Sequence, residues 1–190
     1  MSSGKETIFD LLIDHGIDIR GRILYLSGEV DEVMCSKFIK LLKYLDKTTG
    51  DIEIVLNSSG GCVTSGLAMH DTIKACINPV TIKAYGAVMS IASIILQAAD
   101  KRIISPYCRM MIHRGSTEIS GDFNIVEKAF KEEKEIEKIM CDIYMDKMTE
   151  INSEFKRSQL DRYMDTDSYF SASKALELGL VDEIEGEIDN

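Results

Sequence analysis

Ser90, His113 and Asp167 are the residues of this 190-residue chain whose types and order could carry out acyl transfer. A serine hydroxyl is a weak nucleophile until a base takes its proton, and an imidazole base works best when a carboxylate orients it. Ser90 stands in the stretch Tyr85-Gly86-Ala87-Val88-Met89-Ser90-Ile91-Ala92-Ser93. The run before it, Val80 to Ala84, alternates β-branched residues and predicts a strand. The run after it, Ile91 to Ala99, is small, apolar and free of breakers, and predicts a buried helix. Ser90 is therefore expected at a helix N-terminus, just past a strand and a glycine. Unpaired N–H groups and the positive end of the helix dipole meet there, which suits a reaction that builds an oxyanion. A serine that merely caps the helix fits the same pattern.

His113 closes the apolar run Arg109 to Ile112 and precedes Arg114-Gly115. The end of a strand is where an α/β enzyme would place a general base, although a lone histidine also serves structure. The other two histidines are less suggestive: His15 lies beside Gly16 at a predicted helix end, and His70 falls within a predicted helix. Asp167 precedes Ser168-Tyr169-Phe170-Ser171, read as a loop leading into a helix, where an aspartate also suits a turn or cap. The order serine, histidine, aspartate differs from the α/β-hydrolase order, and Ser90 lacks the GxSxG setting: its glycine is Gly86 and Ala92 takes the second glycine's place. The chymotrypsin and subtilisin orders fail as well, while the logic of a triad transfers between folds. Gly60-Gly61 lacks the GxxxxGK[ST] pattern of a phosphate loop. A glycine pair does let backbone N–H groups approach a ligand closely, as an oxyanion donor must.

The elements that must hold these residues alternate. Strands are predicted at Arg22 to Leu26, Asp51 to Leu56, Val80 to Ala84, Arg102 to Ser105 and Arg109 to His113, and Val181-Asp182-Glu183-Ile184 with an acidic tail closes the chain. Helices are predicted at Thr7 to Asp14, Val33 to Leu45, from Val63 up to Asn78-Pro79, Ile91 to Ala99, Ser158 to Met164 and Ser171 to Leu178. Alternation of this kind implies an α/β domain with a mainly parallel sheet. Residues 122–148 contain neither Gly nor Pro and would form one helix about 40 Å long. Its apolar stripe (Phe123, Val126, Phe130, Ile136, Ile139, Met140, Ile143, Met148) could pack along the domain or project onto another subunit.

Bulk properties narrow the class. A chain of this length suits a single domain spanning 1–190 with a sizeable core. A net charge of −10 argues against nucleic acid or an anionic membrane as a general partner. Five scattered cysteines without a CxxC pair fit a reducing compartment and give no zinc signature. No apolar run nears the roughly 20 residues of a membrane span. A cytoplasmic setting, or an organelle interior, is expected.

Taken together, several segments resemble the proteolytic subunit of the Clp protease (ClpP). They are Ile23 to Val30, Leu56-Asn57-Ser58-Ser59-Gly60-Gly61, Gly86 to Ser90, Arg109 to His113, Asp165-Thr166-Asp167 with Phe170-Ser171-Ala172, and Ala175 to Asp182. The resemblance runs from about Phe9 to Ile184. It implies a ClpP/crotonase-type α/β fold of repeated ββα units, with residues 1–20 an N-terminal segment and helix and 116–150 a protruding long handle. It implies Ser90 as nucleophile, His113 as general base, Asp167 as the orienting carboxylate, and the Gly61 and Ile91 amides as the oxyanion hole. The activity implied is that of a serine endopeptidase acting on unfolded polypeptides bound as an added strand. The assembly implied is two stacked heptameric rings fed by an AAA+ unfoldase, with ATP consumed by that partner and no cofactor in this chain. The chain departs from the family pattern at Ser59, Arg114-Gly115 and Ile91-Ala92, and at Glu53 and Val55, where tyrosines often line the unfoldase pocket. Two rival readings remain at this point: a non-catalytic or accessory ring subunit of a mixed complex, and an acyl-CoA enzyme of the crotonase type.

Overall fold

The structure is a computed structural model that describes residues 15–186. The helix expected over Thr7 to Asp14 lies outside the described residues. The elements run β1 (Ile17–Asp18), β2 (Ile23–Val30), α1 (Glu32–Leu45), β3 (Ile52–Gly61), α2 (Val63–Lys74), β4 (Val80–Met89), α3 (Ile91–Gln97), β5 (Lys101–Ile104) and β6 (Arg109–Ile112). After these come α4 (Phe123–Ile151), α5 (Arg157–Met164), β7 (Ser168–Phe170), α6 (Ala172–Glu177) and β8 (Glu183–Ile184). The result is an open, mixed α/β architecture with one long helix.

Strands β2, β3, β4, β5 and β8 lie side by side and parallel, and β1 pairs antiparallel with β2 at the edge. Burial alternates along β3 and β4: Ile52, Ile54 and Leu56, then Val80, Ile82 and Ala84, are buried on one face, while the residues between them are only half-buried on the other. Two helices begin at a side-chain cap, Asp31 for α1 and Ser171 for α6. Asp31 caps α1 by accepting the Met34 N–H at 2.7 Å, and Cys35, Phe38, Leu42 and Leu45 then fall on one buried stripe. Every residue of α3 is buried. Gly66 of α2 permits a close approach to α3, because a Cβ there would sit 2.1 Å from Ile91 Cγ1.

Strand β4 serves two neighbours in turn. Its first half, Thr81 to Ala84, pairs with β5, and its second half, Ala87 to Met89, pairs with β6. Gly86, at φ +64, makes the bend between them. The β3–β4 register slips at the same point, from Leu56 opposite Ala84 to Ser58 opposite Val88. Asn57 fills the irregularity by accepting the Ala87 N–H at 3.2 Å. The sequence reading ended this strand at Ala84 and the preceding one at Leu56. Both run on, to Met89 and Gly61, because bulges with glycines absorb the bend without ending the ladder.

Two further expectations change. Residues 168–170, read as loop, form β7, which pairs antiparallel with β6. The long helix extends to Ile151, and its buried residues, Met140, Cys141, Tyr144 and Met148, are confined to its C-terminal half. A buried polar chain also crosses the core: Arg102 Nη1 donates to Gln97 Oε1 and to the Gly179 carbonyl, each at 2.8 Å, and Arg102 pairs with Asp182. Full pairing is what makes so buried a guanidinium tolerable. No helix among the described residues is long and apolar enough to cross a membrane.

Candidate active site

The sheet register brings the three predicted residues together. On one side of β6, Met89 pairs with Met111 and the Ser90 N–H donates to the Met111 carbonyl at 2.9 Å. On its other side, Ile112 pairs with Ser168, so one step further sets His113 opposite Asp167. His113 thus emerges between the end of β4 and the start of β7. Its Nε2 lies 2.8 Å from Ser90 Oγ and its Nδ1 lies 3.0 Å from Asp167 Oδ1. The imidazole is more enclosed than the carboxylate, at 23% against 54% side-chain exposure, so the aspartate faces solvent while the histidine fills the gap. The other two histidines stay apart from this cluster: His70 Nδ1 is 3.1 Å from its neighbour Asp71, and His15 directly precedes β1.

Ser90 sits on a strained elbow. Its φ is +52 and its ψ −129, and among the described residues only it and Arg22 are non-glycines with positive φ. Such a conformation costs about 1–3 kcal/mol and survives only where its surroundings hold it. It turns the chain from β4 into α3 so sharply that the hydroxyl points to His113 rather than capping the helix; the Ser90 side chain makes no cap hydrogen bond. Gly60 packs directly on the elbow. A Cβ there would lie 2.7 Å from Ser90 Cβ and 3.3 Å from the Ile91 nitrogen, so a glycine keeps the space beside the Ile91 amide open. Gly61, at φ +147, is hemmed in by β2 instead, with the Val30 carbonyl 2.3 Å from where a Cβ would be. The resemblance singled out Gly61 for its backbone amide; the glycine that packs against the serine side chain is Gly60.

Three other groups around the elbow carried no signal of their own in the sequence. Ser93, three residues after Ser90, donates its hydroxyl to the Ser90 carbonyl at 2.6 Å and meets the Tyr144 hydroxyl, also at 2.6 Å. Burial pushes the Tyr144 phenol well above its usual range, so it stays protonated and able to donate. Cys62, next to Gly61, has its thiol held below the ordinary range by hydrogen bonds with Ser65 and Thr64. Arg114, immediately after His113, pairs with Glu137 of α4 and with Asp161 and Asp165, the last two at 3.3 and 3.0 Å. That cluster joins the histidine strand to α4 and to the loop that carries Asp167. In the sequence Arg114 stands out only as a departure from the family pattern beside His113, with nothing to indicate its three acidic partners.

A groove of about 200 Å³ opens beside this cluster, lined by Val63, Arg114 to Thr117, Ile136 and Met140 among others. Its walls are the residues that follow Gly61 and His113, facing α4. Among the described residues no group of histidine, cysteine, aspartate or glutamate side chains could hold a metal ion. What the arrangement can do chemically is pass a proton from a serine hydroxyl to an imidazole that a carboxylate orients.

Known proteins resemble this chain over most of its length. A family model described as Clp protease matches residues 14–187. The ATP-dependent Clp protease proteolytic subunit of Carsonella ruddii (strain PV) is 31% identical over 169 residues, covering 87% of this chain and 84% of that protein. The protein of the same description from Deinococcus radiodurans is 32% identical over 170 residues, covering 87% of this chain and 81% of its own. That of Chlorella vulgaris is 32% identical over 169 residues, with 87% and 82% covered. A match over nearly the whole described chain, together with relatives this similar over most of their own length, places the chain in the Clp protease family.

Proposed function

We propose that this chain is a serine endopeptidase that cleaves unfolded polypeptides through an acyl-enzyme. One observation carries the reading: an unbroken hydrogen-bond chain runs from Ser90 Oγ through both nitrogens of His113 to Asp167. His113 Nε2 accepts the Ser90 proton as Oγ attacks the scissile carbonyl carbon. The carbonyl π pair moves onto oxygen, and the Ile91 and Gly61 amides take up that charge. Losing one such donor generally costs about 10²–10³ in rate. The C–N bond then breaks, the amine leaves with the proton from His113, and the acyl group stays on Ser90. Water, deprotonated by the same imidazole, hydrolyses the ester and restores the serine. Asp167 remains ionised throughout, fixing the tautomer and stabilising the imidazolium.

The same reading extends to the assembly. Substrate lies extended in the groove between Val63 and residues 114–117, pairing its backbone with the segments after Gly61 and His113. The fold is of the ClpP/crotonase type, in one domain, with α4 as the handle between two stacked heptameric rings. An AAA+ unfoldase hydrolyses the ATP and delivers the substrate, in the cytoplasm or an organelle interior. Apolar side chains left exposed on α4 support a partner there: Phe123, Ile125, Phe130 and Ile139.

A fluorophosphonate probe tests the proposal. The assembled protein should become covalently labelled at Ser90, as located by peptide mass spectrometry, and Ser90→Ala should take up none. An intact assembly that stays unlabelled and cleaves no unfolded polypeptide would overturn it in favour of an accessory ring subunit.

A further inference from the structure

The Ser90–Ile91 peptide unit carries a carbonyl at one end and the Ile91 N–H at the other. A peptide is planar, so whatever fixes the carbonyl fixes the direction of the N–H as well. The Ser90 carbonyl accepts twice, from the Ser93 N–H at 2.9 Å and from the Ser93 hydroxyl at 2.6 Å. The Ser93 hydroxyl has a single proton, which this bond uses. Its contact with the Tyr144 hydroxyl at 2.6 Å must therefore be donated by Tyr144. Ser93 is fully buried and Tyr144 is 2% exposed, so no water competes for either bond. The three groups form a one-way relay from α4 to the elbow.

We propose that Tyr144 and Ser93 are positioning residues that hold the strained Ser90–Ile91 peptide in register, aiming at once the Ser90 hydroxyl and the Ile91 amide. The proposal rests on the reading of Ser90 as nucleophile and Ile91 as oxyanion donor. Without the relay, the backbone of the positive-φ elbow keeps its bonds to the Met111 carbonyl and the Ser93 N–H, and the peptide is freer to rotate toward a relaxed conformation. Bonding to the carbonyl also polarises the amide, which strengthens the N–H as a donor. Tyr144 reaches neither substrate nor the reacting atoms, so it acts through Ser93.

Two variants test this: Tyr144→Phe, which removes one oxygen and keeps the ring, and Ser93→Ala, which removes the middle of the relay. Each is compared with wild type for fluorophosphonate labelling, peptide kcat and KM. Labelling should still reach its full plateau while its rate and kcat fall by about 10- to 100-fold at unchanged KM, part of the loss expected for a missing oxyanion donor. Because the groups act in series, the double variant should be no slower than Ser93→Ala alone. A purely structural role gives the opposite pattern, a reduced plateau whose remaining sites react at the wild-type rate, and would overturn the proposal, as would additive losses. Crystal structures of both variants supply a reading independent of activity. Displacement of Ser90 Oγ from hydrogen-bonding distance of His113 Nε2, with a relaxed φ, is expected; an unchanged elbow in both would sink the relay. If wild type fails to label, the peptidase reading falls, and these structures alone decide whether the relay holds the elbow.

Discussion

The two halves of α4 are built to different ends. From Met140 to Met148 the helix buries Met140, Cys141, Tyr144 and Met148 in the core of its own chain, and Tyr144 bonds to Ser93, which braces the Ser90 elbow. From Phe123 to Ile139 it exposes Phe123 at 81%, Ile125, Phe130 and Ile139. Both halves carry apolar residues at helical spacing, so amphipathic pattern does not separate them. What separates them is whether this chain supplies the covering surface. The inner half meets α3 and α5; the outer half faces the segment from Arg114 to Ile119, and its first turns have only Thr117 and Ile119 lining a groove with them. An element can thus be half core and half exposed apolar face, with the proposed chemistry tied to the core end.

The largest effect should come at the inner end. Ser90→Ala removes the nucleophile and should lower peptide cleavage by about 10⁴-fold or more, leaving only whatever binding and the oxyanion donors provide. The fold should survive, since the Ser90 N–H donates to the Met111 carbonyl and the Ser90 carbonyl accepts from Ser93, neither of which needs the hydroxyl. Retention of activity by a homogeneous Ser90→Ala sample would remove the chemistry from this end altogether.

Stability separates the halves more directly. Tyr144→Ala opens a cavity under a fully buried ring and should cost about 3–5 kcal/mol. Phe130→Ala, on an exposed ring that Lys134 covers at 5.7 Å, should stay within about 0.5 kcal/mol in the separated chain. Urea unfolding of both variants, under conditions that keep the chains apart, measures the contrast. Similar midpoints would mean the two halves do not differ as the burial pattern implies.

Much of this was open to sequence reasoning, and the reasons are physical. Periodicity located α1, α2, α4 and α5 because each has one apolar stripe and clear ends. Ser90, His113 and Asp167 could be named as a set only through the resemblance of the segments around them, because a strand end and a glycine left each one equally readable as a cap, a turn or a structural side chain. β7 was not visible: Ser168-Tyr169-Phe170 is too short to alternate, and only its pairing with β6 makes it a strand. The run of β4 through Gly86 was hidden because the clip that allows it, Asn57, lies 30 residues away. Tyr144 and Ser93 were invisible as partners for the same reason, being 51 residues apart. The choice of Gly60 or Gly61 against the serine depended on a close approach between strands that no spacing reveals.

Arg114 offers a smaller, sharper probe of how α4 communicates with the site. Its guanidinium bridges Glu137, Asp161 and Asp165, and Glu137 is only 14% exposed. Arg114→Gln leaves those three carboxylates without their shared cation. A loss of about 1–2 kcal/mol is expected, less than a fully buried pair because Arg114 is itself part-exposed. Wild type should lose some of this contribution as salt rises toward about 1 M, where screening is strong, and the variant should not. Guanidinium-free thermal melts across that salt range check it; equal salt dependence in both would show that the cluster is not a source of stability.

The smallest effect on the single chain, and the most telling about the comparison, should come from the outer half. Phe123 and Phe130 line a shallow groove with Thr117, Ile119 and Val126, so Phe123→Ser combined with Phe130→Ser removes its apolar floor. The separated chain loses little by this, since these rings are already largely in water, and its unfolding midpoint should shift by no more than about 0.5 kcal/mol. A second copy docking its own outer half against this one would lose the burial of four rings, which at about 25 cal/mol per Å² is a large share of such an interface. Sedimentation velocity should therefore show the assembly splitting into smaller species at concentrations where wild type stays whole. Labelling of Ser90 in those species then separates two couplings. If the inner half alone sets the elbow, the smaller species label at the wild-type rate. A loss of labelling together with an unchanged Tyr144 environment would show that partner contacts on the outer half reach the serine along the helix.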